Sequence, residues 1–293
     1  MGFLTHMIWF FLSLAAAISI AARDISIKIY EDLQPSEIAI LELSWALPAL
    51  FIGCIIVETP PLDQIFWWTF LLSIPINIMA YILYLHAIKL SPLSLSVPFL
   101  AFTPVFMILT GFFVLGETIN LWGGIGIGLI ILGSYVLHFN KKQLNFSDPF
   151  SAFIHEKGSW LMLIVAILFA FAAVIGKKAM LHSSPLFFSY SFFLVFNLLI
   201  LSGLFVRRKN NWQKILRNSS KGIWLGSLLM IHISYHGLAI SISTALYMVA
   251  VKRSSILFTV LLSWYILKEV DIQYRGLGSM LMFVGMLLII FFG

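Results

Sequence analysis

The chain has 293 residues, 61% hydrophobic and only 10% charged, with a mean hydropathy of +1.01. Soluble domains carry roughly 25% charged residues, so 18 Lys and Arg with 12 Asp and Glu cannot clothe this much apolar mass in water. Such a composition excludes a soluble globule, a disordered chain and, with Cys54 the single cysteine, a disulfide scaffold.

A bilayer core needs about 20 apolar residues per helix, and the chain supplies ten such runs, near 6–22, 38–57, 65–87, 93–115, 120–138, 159–180, 186–206, 222–240, 243–267 and 274–292. Turn chemistry separates them, at Thr59-Pro60-Pro61, Ser91-Pro92, Gly116-Glu117 and Ser183-Ser184-Pro185. Only 139–157 and 207–221 are long enough to be loops, and nothing remains for a water-soluble domain. The apolar run from Met7 to Ala22 lacks a basic n-region and reads as the first span, ended by Arg23-Asp24. His6 stands where a myristoylation signal needs Ser or Thr. Of the nine tryptophans, Trp9, Trp67, Trp68, Trp122, Trp160, Trp212 and Trp224 fall near span ends, as an interfacial belt would.

Basic residues mark the cytoplasmic side of a membrane protein. After odd-numbered spans lie Arg23, Lys28, Lys89, Lys141, Lys142, Lys157, Arg207, Arg208, Lys209, Lys214, Arg217, Lys221, Lys268 and Arg275; after even-numbered ones lie only Lys177 and Lys178. This imbalance puts both termini outside. It also explains the net charge of +6 and the pI of 9.4 without a nucleic-acid partner.

A shift of 152 residues aligns the two halves without a gap. Ala87-Ile88 meets Ala239-Ile240, Ser91 meets Ser243, Val97 meets Val249, Phe106 meets Phe258, Leu115 meets Leu267 and Glu117 meets Glu269. Gly124, Gly126 and Gly133 then meet Gly276, Gly278 and Gly285. Five helices per copy force the second copy to insert upside down, the plan of transporters with a midplane site between their halves. The expected fold is therefore an all-α integral membrane protein of ten transmembrane helices in two inverted five-helix repeats, 1–138 and 158–293, joined by 139–157.

The pattern Gly116-Glu117…Gly124…Gly126…Gly133, and again Lys268-Glu269…Gly276…Gly278…Gly285, resembles the twice-occurring EamA domain of the drug/metabolite transporter superfamily. Ala87-Ile88-Lys89-Leu90-Ser91-Pro92 and Thr103-Pro104-Val105-Phe106 are similar to that family's first-repeat signature. The resemblance covers nearly the whole chain. It implies a transporter of metabolites such as amino acids, sugar phosphates, amines or drugs. It also implies cytoplasmic termini, against the charge count.

Charges inside the spans carry the functional expectation. Lys252 and Arg253 lie near the middle of the ninth span, where each cation costs about 2.5–3.5 kcal/mol on the insertion scale. They persist there by facing a wet cavity or an anion. Glu42 is the one carboxylate well inside a span and can neutralise one of them, which leaves the other for an anionic substrate group. Arg offers a planar fork to phosphate or carboxylate and Lys a compact charge. The pair also resembles the phosphate-binding pair of plastid sugar-phosphate translocators. Its counterparts in the fourth span are Leu100 and Ala101. That span instead carries Pro98 and Pro104, expected to kink it and to serve gating.

Asn77, Tyr81 and Tyr84 share one face of the third span, and His232, Tyr235 and His236 form a similar stripe on the eighth. Both can complete a cavity wall; the histidines read as hydrogen-bonding groups, with proton coupling as the alternative, and Asn197 is a further midspan polar group. No metal or other cofactor is expected, since no acid or cysteine cluster joins the histidines. No Walker loop, dinucleotide fingerprint or catalytic triad stands out either.

The leading expectation is a secondary transporter in a cell membrane, monomeric or homodimeric, moving a small anionic or zwitterionic molecule by alternating access. Its alternatives are an exporter of cationic amines or drugs using Glu42, and a flippase for phosphorylated lipid head groups.

Overall fold

The computed structural model describes residues 2–136, 157–206, 212–268 and 275–292, and among these there are helices and turns but no strand. In chain order come α1 (Gly2–Ile29), α2 (Pro35–Ile56), α3 (Gln64–Leu90), α4 (Leu93–Ser96), a 3-10 segment (Val97–Phe102), α5 (Thr103–Leu115) and α6 (Leu121–Val136). The second half contains α7 (Lys157–Leu181), α8 (Pro185–Val206), α9 (Trp212–Arg217), α10 (Ser219–Ser241), α11 (Ala245–Lys252), α12 (Ser254–Leu267) and α13 (Arg275–Phe292). Glu269 and the basic residues from Lys141 to Lys142 and from Arg207 to Lys209 lie outside the described residues.

Seven stretches are long and apolar enough to cross a bilayer: Met7–Ile29, Pro35–Ile56, Gln64–Leu90, Lys157–Leu181, Pro185–Val206, Ser219–Ser241 and Ala245–Leu267. Three shorter apolar helices, Phe99–Leu115, Leu121–Val136 and Met280–Ile289, match the remaining expected spans loosely. The large hydrophobic residues turned outward, such as Ile56, Trp68, Phe113 and Leu216, suit lipid contact. The chain is a multi-pass, all-α integral membrane protein.

Three expectations about the spans need correction. The first does not end at Arg23-Asp24. Helix α1 runs seven residues beyond Ala22, to Ile29, because both charged side chains are buried against partners on α2 and α3 and need no water. Arg23 therefore leaves the tally of loop cations. The fourth span is not a kinked continuous helix: it is divided into α4, the 3-10 segment and α5. Pro98 and Pro104 each occupy the first two residues of a new segment, where a missing N–H breaks no helical bond. Trp9, expected in the interfacial belt, is 3% exposed and packs in the core; the other six tryptophans of that set are exposed.

Close packing joins the halves. A Cβ added at Gly126 would stand 2.7 Å from the Gly285 carbonyl oxygen, and one at Gly133 would stand 2.5 Å from that of Gly278. Small residues let helix backbones approach like this in membranes. As α6 ascends from 126 to 133, its contacts on α13 descend from 285 to 278, so the two helices run antiparallel. Applying the 152-residue shift turns one contact into the other.

The same exchange relates α1–α10 to α3–α7 and α1–α12 to α5–α7, all closely packed, and returns α2–α8 to itself. Even backbone conformation obeys it. Among the described residues, the two with positive φ are Gly116 (φ 67°) and Lys268 (φ 55°), at equivalent positions. Each caps a helix, Gly116 ending α5 and Lys268 ending α12.

The exchange fails most at one pair of seams. Helices α2 and α10 are pressed together, with Gly222 against the Trp45 indole and Gly226 against the backbone at Trp45 and Ala46. Their counterparts, α8 and α3, stand apart and touch through rings, Phe70 with Phe188 and Phe192, and Tyr81 with Phe196. The loosened seam holds the cavity.

Candidate functional site

The cavity is lined by α3, α7, α8, α10 and α11 with Arg253 just beyond it, together with two residues of α1 and single residues from α2 and the 3-10 segment. Its space open to the centres of water-sized molecules is ≈ 170 Å³. It extends from Arg23 and Tyr84 toward Lys177 and Met180, near the bundle end where α7 finishes and α8 begins. Among the described residues, each formally charged side chain on its wall is basic: Arg23, Lys177, Lys252 and Arg253.

Two of these cations are matched by carboxylates. Arg23 donates from Nε and Nη2 to the two oxygens of Glu42, the latter at 2.8 Å, in the paired geometry that makes Arg–carboxylate contacts strong. Tyr81 also donates to Glu42 Oε2 at 2.6 Å. Tyr84 donates to Asp24 Oδ1 at 2.6 Å, and Arg23 Nη1 lies 3.8 Å from that oxygen. The guanidinium of Arg23 rests near both tyrosine rings, 5.7 and 5.6 Å from their centroids, a cation–π arrangement. Asp24 Oδ2 is buried without a hydrogen-bond partner. At the other end, Lys177 Nζ donates to Glu117 Oε1 at 2.6 Å and to the Ser243 carbonyl at 2.5 Å. Glu117 also accepts from the Ala245 N–H at 3.0 Å, capping the start of α11.

Lys252 and Arg253 have no carboxylate within ion-pair distance among the described residues. Lys252 Nζ stands 3.1 Å from His236 Nδ1. Arg253 Nη2 donates to Thr103 Oγ1 at 2.7 Å, its guanidinium lies 5.8 Å from the Phe169 ring centroid, and its Nε is buried without a partner. The two residues occupy a break: α11 ends at Lys252, and the Arg253 N–H is shared between the Val249 and Ala250 carbonyls before α12 begins.

Of the expected site residues, Lys252, Arg253, Asn77, Tyr81, Tyr84, His232 and His236 come together on this one cavity. Glu42 stands behind its wall, and the expectation that it neutralises a cation of α11 is corrected: its oxygens are taken by Arg23 and Tyr81. Asn77 donates to the Ser73 carbonyl at 2.9 Å. The His232 and His236 rings stack at 5.5 Å, while Tyr235 is 37% exposed and leaves that stripe. Asn197 lies off the cavity, fully buried, donating to the Leu43 carbonyl at 3.2 Å. Pro104 begins α5 immediately after Thr103, the partner of Arg253, and Pro98 belongs to the 3-10 segment that also supplies Leu100 to the wall.

Sequence reasoning missed Arg23, Asp24, Lys177, Thr103 and Phe169. A signal for the first two was present: no Gly or Pro stands between Arg23 and Gln34, so nothing local ends the helix there.

Residues 7–139 match the model of the EamA-like transporter family. No curated protein matches the chain. Among solved structures, the crystal structure of a protein 14% identical in sequence superposes with a TM-score of 0.71, covering 99% of this chain and 99% of the other. At that identity the likeness concerns the fold alone. The EamA domain over residues 7–139 supports an EamA-like transporter of the drug/metabolite transporter superfamily, and the likeness to the solved structure extends the shared fold along the rest of the chain.

Proposed function

We propose that this protein is a secondary transporter of a small organic anion or zwitterion, without a catalytic step, and that Lys252 and Arg253 receive the acidic group. The observation that carries the reading is the charge of the cavity wall. Arg23 and Lys177 are neutralised from behind by Glu42 and Glu117, while Lys252 and Arg253 have no carboxylate partner among the described residues. Two adjacent cations at membrane depth are costly, and an acidic ligand offsets that cost. The histidines and Asn77 supply further polar contacts for orientation.

An amine exporter built on Glu42 is less well supported, because Arg23 and Tyr81 already occupy that carboxylate. Basic loop residues favour termini outside the cell membrane, and the cavity then reaches toward the external face.

The test is uptake into proteoliposomes across a panel of carboxylates, phosphate esters and amines. Lys252→Gln or Arg253→Gln is expected to lower anion uptake at least 100-fold, equivalent to about 2.7 kcal/mol, with unchanged reconstitution. Wild-type uptake by both variants would remove the site; uptake of amines alone would return Glu42 to consideration.

A further inference from the structure

We infer that the transported acid carries a flat aromatic ring, and that Phe169 and Phe193 read it. The inference rests on the anion reading above and adds the chemistry of the rest of the molecule.

Beside its cations and few polar groups, the cavity wall carries five phenylalanines, Phe169, Phe188, Phe192, Phe193 and Phe196, set among aliphatic residues. Helix α8 places Phe188, Phe192 and Phe196 at i, i+4 and i+8, so that they form one ladder along its inner face. Consecutive rings lie 5.2 and 6.1 Å apart with interplanar angles of 16° and 24°. These three are nearly completely buried, at 4%, 2% and 3% exposure, and brace the wall. Phe193 packs edge-on against two of them, at 5.3 and 5.8 Å, and remains partly exposed. From α7, Phe169 is likewise partly exposed, beside the Tyr84 ring at 6.0 Å. It is also the ring against which Arg253 rests.

The acid-binding end and the aromatic faces thus belong to one surface. A carboxylate on Lys252 and Arg253 leaves the body of the ligand beside Phe169, with the α8 wall lining the same space. Aliphatic side chains would exclude water equally well. Phenyl rings add edge and face geometry that favours another ring, and they lose little conformational freedom when a ligand seats on them. Size agrees: ≈ 170 Å³ on a measure where one water needs about 10–15 Å³ corresponds to roughly a dozen waters. That is space for one small ring with its acid group.

The measurement is competition by phenylacetate, indole-3-acetate and their ring-saturated analogues for binding to the purified full-length protein, with hexanoate as the unbranched acid. Each ring acid is expected to bind roughly 2- to 12-fold tighter than its saturated counterpart, the range implied by the worth of one aromatic contact. Phe169→Leu and Phe193→Leu should each erase that preference while retaining hexanoate binding, and Phe193→Tyr should restore it. Lys252→Gln should abolish binding of ring and chain acids alike. Equal binding of ring and saturated acids, lost together in Lys252→Gln, would overturn the ring inference and leave the anion reading standing. Binding of no acid by the wild-type protein would overturn both.

Discussion

The buried Arg23–Glu42 pair shows what a single charge costs in this environment. Both side chains are buried, Glu42 fully and Arg23 to 8% exposure, so each depends strongly on the other. Glu42→Gln removes the closer of two counter-charges and leaves a guanidinium that cannot deprotonate. It is expected to destabilise the folded protein by about 3–5 kcal/mol, read as a lowered melting temperature in detergent. Joining it to Arg23→Met removes the stranded charge and should recover part of the loss, since Asp24 then loses the guanidinium 3.8 Å away. A double variant no better than Glu42→Gln would contradict the pairing. Rarity made Lys252, Arg253 and Glu42 visible in the sequence, since a charge inside an apolar run is conspicuous. Their partners were not visible: Glu42 meets a residue 19 positions away and Arg253 one 150 positions away, and distances of that kind are set by packing. The expectation that Glu42 can neutralise Lys252 or Arg253 fails for this reason.

At the level of helices, boundaries set by turn residues were readable and boundaries set by partners were not. Pro35, Asp63, Pro185 and Thr244 stand at or beside the observed starts of α2, α3, α8 and α11. By contrast, α1 continues through Arg23-Asp24 because other helices satisfy those charges, and the ninth span breaks at Arg253 without any proline or glycine. The equivalence of Gly116 and Lys268 offers a direct test. Both adopt left-handed conformations at helix ends, free for glycine but costing about 1–2 kcal/mol for a residue with a Cβ. Lys268→Gly is therefore expected to raise stability by about 1 kcal/mol, after its own loss of chain entropy, whereas Gly116→Lys should lower it. A melting temperature unmoved by both would show that the second cap does not hold that conformation.

At the scale of the whole molecule, the 152-residue shift carries most helix contacts into one another and leaves one asymmetry that the residue pattern does not distinguish. That distinction lies in the seams, tight at α2–α10 and loose at α3–α8, and depends on differences too small for a residue pattern to reveal. Alternating access by exchange of the two conformations requires the tight seam to open. In a background with Cys54 replaced, cysteines introduced together at Ala46 and Gly226 should cross-link in this state and halt transport, with activity regained on reduction. Full activity in the cross-linked protein would exclude opening at that seam. Orientation is decided separately by single-cysteine labelling at Arg217, which the loop charges place in the cytoplasm. Modification of intact cells by an impermeant reagent would reverse that assignment.

The glycine contacts between α6 and α13 have a practical consequence of their own. Exchanging the conformations of the halves carries Gly126–Gly285 into Gly278–Gly133, a contact already made. In an exchange of that kind their separation is the same in both states, and probes attached near this pair would supply a stationary ruler. Against that internal standard, displacements at α2–α10 and α3–α8 can be measured in a single sample, free of differences in labelling or membrane thickness.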